Sequence, residues 1–129
     1  MALRHSKPTP EQNAGRLIRR AAQVLEDRAW IQGGIGDGTR GMCVRGAISF
    51  TAHGNANVLE IGHDSYRAEV YLSRWLMKLD AIPGIIDLER SKEQWCSFVP
   101  AWNDADGRTK EEVIQYMRKF ADEVDPQLK

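Results

Sequence analysis

The sequence predicts a mainly α-helical fold: a compact single-domain bundle of four to five helices with glycine-rich and irregular connections and room for a minor short β element. Three observations carry this expectation. Apolar residues recur at three- and four-residue steps in "AGRLIRRAAQVL", "AEVYLSRWLMKL" and "VIQYMRKFADEV", the period of a helix with one buried face. Two of those stretches follow a Thr with Gln or Glu three residues on, Thr9 with Gln12 and Thr109 with Glu112, the signature of a capped helix start. And 129 residues is the length of one domain with a single core. The division expected is a flexible N-terminal arm over 1–8 and one helical domain over 9–129.

Taken in order, the first helix is predicted from Pro10 to Ala29. Pro10 suits the first helical position, and Ala14, Leu17, Ile18, Ala21, Val24 and Leu25 form its apolar face. A loop with five glycines between Gly33 and Gly41 follows and is expected to be mobile. The stretch from Met42 to His53 reads two ways. Met42, Val44, Ile48 and Phe50 alternate as in a strand, while Cys43, Ala47 and Phe50 beside Val44, Ile48 and Thr51 fit a helix. Gly46 would cost that helix about 1 kcal/mol, offset if the small residues Cys43, Gly46 and Ala47 let a second helix approach. A turn-rich connection follows, with a short extended piece at Val58–Ile61. A third helix is expected to start at a cap on Asp64 or Ser65, with Ala68, Tyr71, Leu72, Trp75, Leu76 and Leu79 as its stripe. Pro83-Gly84 breaks the chain. A short helix over Glu93–Val99 is expected to end at Pro100. The last helix starts at Thr109, is seamed by Val113, Met117, Phe120 and Val124, and stops before Pro126.

Eighteen basic and eighteen acidic residues give no net charge, which argues against a dedicated nucleic-acid or membrane-surface protein. The charge is polarised. Residues 1–50 carry eight Lys or Arg and four Asp or Glu, a net of +4, and the remainder carries −4. Two cysteines, Cys43 and Cys96, make no disulfide framework. The N-terminus has no apolar signal segment, and no apolar run reaches the eighteen or so residues of a membrane span. The expected location is the cytoplasm.

Gly36, Gly38 and Gly41 spell G-x-G-x-x-G, but a dinucleotide fingerprint follows a strand and opens a helix. Here a helix precedes it, and Gly38 is followed by Thr39-Arg40 instead of the Lys of a phosphate loop. No nucleotide or other cofactor is expected. "DADG" resembles part of a calcium loop, but aligning Gly107 leaves Trp102 and Val113 at the first and last ligand positions, so it is not one. Cys43, His53 and His63 stand ten residues apart, without the local pairing of a zinc motif, and no metal is expected. No catalytic residue is assigned. Arg16, Arg19 and Arg20, with Arg4 and Lys7 upstream, make helix 1 the candidate nucleic-acid face.

Trp30, then Cys43, Gly46 and Ala47, then Trp102, Asn103, Asp104, Gly107, Arg108 and Thr109 resemble the hallmarks of a family of small uncharacterised proteins of actinobacteria and their phages. These hallmarks are a C-x-x-G-A helix and a W-N-D-x-x-G-R-T turn. The resemblance spans roughly 14–122, loosely over 54–100. It implies a helical fold, tipping Met42–His53 toward helix, and brings no known activity. From the residues, Asn103 or Asp104 is expected to form an Asx-type turn, Gly107 to relieve the backbone, and Trp102 to anchor the turn. The leading expectation is a non-catalytic binding protein, phage-encoded and directed at a host protein. Its surface would be Gly36, Asp37, Gly38 and Arg40 with Trp102, Asn103, Asp104 and Arg108. The alternatives are a small-ligand binder or enzyme with a pocket near Cys43, His53 and Asp104, and a nucleic-acid binder using helix 1.

Overall fold

A computed structural model describes residues 7–37, 41–58, 63–79 and 97–126, with the backbone alone at Asp37. Most of the N-terminal arm, Gly38 to Arg40, most of the extended piece proposed at Val58–Ile61, Pro83-Gly84, the start of the proposed helix at Glu93, and Cys96 lie outside the described residues.

The described elements are mainly helical. They run α1 (Pro10–Asp27), β1 (Gly36–Asp37), β2 (Gly41–Met42), α2 (Val44–His53), α3 (Asp64–Lys78), α4 (Val99–Asn103) and α5 (Lys110–Val124). The start of α1 is the predicted capping box. Thr9 Oγ1 accepts from Gln12 N at 3.1 Å, and Gln12 Oε1 accepts from Thr9 N at 2.9 Å. The cap of α5 is half of one: Thr109 Oγ1 accepts from Glu112 N, but the Glu112 carboxylate pairs with Arg108 at 3.2 Å. The cap of α3 is neither Asp64 nor Ser65 but His63, whose imidazole accepts from Ser65 N. Pro100 does not end a helix. It sits in the first turn of α4, where its missing N–H costs nothing.

The ambiguity over Met42–His53 resolves into both states. Met42 lies in β2, paired antiparallel with Gly36, and the helix begins two residues later, with Cys43 as its N-cap. Gly46 permits a close approach, but of the loop, not of a helix. A Cβ there would stand 2.5 Å from the Ile35 carbonyl oxygen.

Helix α1 runs through the middle of the packing, against α5 most extensively and also against α2 and α3. Ile18, Leu25, Leu72, Leu76, Trp102, Met117 and Phe120 are all buried among them. Trp75 meets Phe120 edge to face with centroids 5.7 Å apart, and Trp102 meets Tyr116 at 5.9 Å. The stripe of α3 is buried at Ala68, Leu72, Trp75 and Leu76, but its last member, Leu79, is 46% exposed. No described helix is long and apolar enough to cross a membrane.

Candidate interaction site at the glycine hairpin and the Trp-Asn-Asp segment

The two segments that the sequence singles out meet in space, and Asn103 is the residue that joins them. Its side chain is 0% exposed. Oδ1 accepts from Trp30 Nε1 at 2.7 Å and from Val44 N at 3.0 Å. Nδ2 donates to the Ile31 carbonyl at 3.1 Å and to Asp104 Oδ1 at 2.9 Å. All four bonds of a primary amide are therefore filled. Asn103 ties together the segment after α1, the start of α2 and the end of its own helix. It is not an Asx-turn residue, because three of its partners lie 59 to 73 positions away.

Around Asn103 the loop over 31–36 and the turn over 104–107 are laced together. Gln32 Nε2 donates to the carbonyls of Asn103 and Ala105, both at 3.0 Å, and Gly33 N donates to Asp104 Oδ1 at 3.0 Å. Ile31 N donates to the Met42 carbonyl and Cys43 N to the Ile35 carbonyl, each at 3.1 Å. Lys110 Nζ reaches the Arg28 carbonyl at 2.8 Å. The tightest glycine is Gly36, at φ +84°, where a Cβ would collide with the Gly41 backbone.

The predicted surface residues are therefore layered. Trp102 is 0% exposed and, like Asn103, lies beneath the surface. Arg108 covers Trp102, its guanidinium 5.0 Å from the ring centroid and its Nε donating to the Trp102 carbonyl. Asp104 is exposed, together with Gln32, Gly33, Gly34, Asp106 and Gly107. Gly36 is half-buried. Gly38 and Arg40 fall outside the described residues.

Beneath this ridge lies a cavity of about 180 Å³, bounded by Gly33 to Ile35, by Cys43 and Arg45 at the start of α2, and by Pro100, Asn103 and Asp104. It brings Cys43 and Asp104 together. It does not include His53, which ends α2, about 15 Å along the helix from Cys43. Burial pushes the Cys43 thiol up, against the N–H groups of Gly46 and Arg45 that favour the thiolate. Arg45 pairs with Glu69 through Nη2–Oε2 at 2.6 Å and a forked Nε, 2.9 Å from Oε1 and 3.2 Å from Oε2. Burial works against the Arg45 charge, but the hydrogen bonds and charge of Glu69 outweigh it and raise its pKa. Glu69 itself is 0% exposed and also accepts from Ser97 Oγ at 2.6 Å. Glu69 was not singled out by its sequence, although it stands three residues before Leu72 and seven before Leu76, at helical spacing with the stripe.

The hallmark residues Trp30, Gly46 and Asn103 thus meet at one junction, with Trp102 beneath it and Thr109 capping the helix that follows. A family of unknown function, DUF6197, matches residues 9–123. The chain belongs to the DUF6197 family. The match runs from the Thr9 cap to the last turn of α5, and so takes in every element that builds the junction of this DUF6197 chain. No curated protein and no solved structure matches it.

Proposed function

We propose that this DUF6197 chain is a non-catalytic binding protein that presents the ridge of residues 31–36 and 104–107 to a partner protein. The observation that supports this is the lacing of the ridge to Asn103, Gln32 and Asp104. A surface loop fixed in advance loses less conformational freedom on association, and loops held on a rigid scaffold are where binding residues concentrate. Gly33 and Gly34 at its crest let a partner's backbone come close. The resemblance to actinobacterial and actinophage proteins makes the inferred partner a host protein met in the cytoplasm, with the chain itself phage-encoded.

The magnitudes favour this over a ligand pocket near Cys43 and Asp104. The cavity of about 180 Å³ is smaller than the roughly 300–1,000 Å³ of typical ligand sites. Its cysteine is buried and held as a thiol, and His53 lies at the other end of α2. On helix 1, Arg19 and Arg16 are engaged by Asp122 and Asp125, which leaves a nucleic-acid face with less free positive charge. The test is affinity capture from host lysate with the parent, Gly34→Arg and Lys119→Glu. Gly34 faces open space, so arginine there obstructs the ridge without entering the core. The expected result is that Gly34→Arg melts like the parent and loses the captured protein, while Lys119→Glu on the α1–α5 face retains it. Equal capture by Gly34→Arg and the parent overturns the proposal.

A further inference from the structure

At the opposite end of α2 from the ridge, two histidines separated by ten residues come together. His53 is the last residue of α2 and His63 the N-cap of α3. Their rings stand with centroids 4.3 Å apart, inclined at 63°. They do not bond each other. Both turn a nitrogen toward one oxygen: His53 Nε2 is 3.2 Å and His63 Nδ1 is 3.4 Å from Ser65 Oγ. A hydroxyl carries a single hydrogen and can donate to one of two imidazole nitrogens at a time. His63 Nδ1 further accepts from Ser65 N at a long 3.3 Å. Ser65 is 0% exposed, so its hydroxyl cannot meet a substrate as a nucleophile beside a histidine base. The imidazoles are reachable, His63 being exposed and His53 half-buried.

We propose that His53 and His63 form a binding site for a late first-row divalent cation of the zinc class, with water completing the shell. Paired neutral imidazoles suit zinc, copper and nickel and offer little to magnesium or calcium. The surroundings accept a cation. The site lies between the C-terminus of α2, which attracts positive charge, and the N-terminus of α3, which repels it. Asp64 follows His63 directly, and Arg67 stands a turn further on. Where α1 meets Asp64 and Arg67 it brings Pro10, Asn13, Ala14 and Leu17, none of them charged. No three His, Cys, Asp or Glu side chains cluster as a metal site among the described residues, so the site is a two-imidazole one of moderate affinity. It is separate from Cys43, at the far end of the same helix.

Titration calorimetry with zinc chloride on the metal-free full chain at near-neutral pH tests this. The expected result is one zinc per chain, weakened at least about tenfold in His53→Gln and in His63→Asn. Each keeps a hydrogen-bonding group in place, and asparagine preserves the cap. His5→Ala and Cys43→Ala bind as the parent does. As a second readout, the imidazole NMR signals of His53 and His63 respond to zinc and not to magnesium. Absence of zinc binding overturns the site. So does unchanged binding in His53→Gln and His63→Asn, or its loss in His5→Ala or Cys43→Ala.

Discussion

Trp102 and Asn103 are neighbours in sequence with different duties, and single substitutions separate them. Trp102 fills the core between α4 and α5, and its Nε1 finds no partner among the described residues. Trp102→Ala is expected to cost about 3–5 kcal/mol for the lost aromatic volume. Asn103→Ala strands the N–H groups of Trp30 and Val44 and the Ile31 carbonyl, and is expected to cost at least about 2 kcal/mol. Asp106, exposed in the turn, is expected to change stability by about 0.5 kcal/mol or less on conversion to alanine. Urea melts of the three variants check this order. Trp102 was legible as an anchor because a large aromatic beside a polar turn has few other uses. Asn103 was not, because its partners are far away in the chain, and an Asn before an Asp reads locally as a turn. Cys43 gives a pH prediction at the same scale. A thiol whose folded value is raised contributes stability that is complete below the unfolded value and is lost as pH rises through the folded one. Above about pH 8.5 the unfolded chain releases this proton first. The parent should therefore lose stability on the alkaline side more steeply than Cys43→Ser, which keeps a capping oxygen that does not titrate there. Matching alkaline limbs in denaturant melts would count against the raised thiol.

Among the elements, α1, α3 and α5 were legible because each buries one face and leaves the other wet, so the helical period is written in the residues. Helix α2 was not, because Val44, Gly46, Ala47, Ile48 and Ser49 are all buried and a helix covered on several sides shows no stripe. The five residues of α4 are too few to show a period, and two-residue strands have no alternation to read. The pairing of β1 with β2 makes the glycines of this loop unequal. Gly36→Ala meets both a positive φ and the Gly41 backbone, whereas Gly34→Ala meets nothing within 4 Å. Gly36→Ala is expected to lower stability by about 1–3 kcal/mol, and Gly34→Ala to melt like the parent. Thermal melts decide it, and equal losses would mean that the close approach of β1 to β2 is not a constraint on the fold.

Across the whole molecule, the opposite charges of the two halves of the chain meet. Arg19 bonds Asp122 and Asp125, each at 3.0 Å, and its Nη2 also donates to the Asp125 carbonyl at 2.8 Å. Arg118 of α5 pairs with Glu26 of α1 at 2.6 Å in the reverse sense, cation from the acidic half and anion from the basic one. The polarity of +4 against −4 is thus partly spent in joining the first helix to the last described one, a use that charge counting alone cannot separate from a binding face. That pairing also fixes an order of events. On the ribosome, α1 emerges before α5, with some eighty residues between them. Until Lys110–Val124 has left the exit tunnel, the apolar face of α1 lacks its largest partner, and contacts so distant in sequence close slowly. Until then α1 has only α2 and α3, among its main partners, to pack against. This core is complete only when α5 arrives.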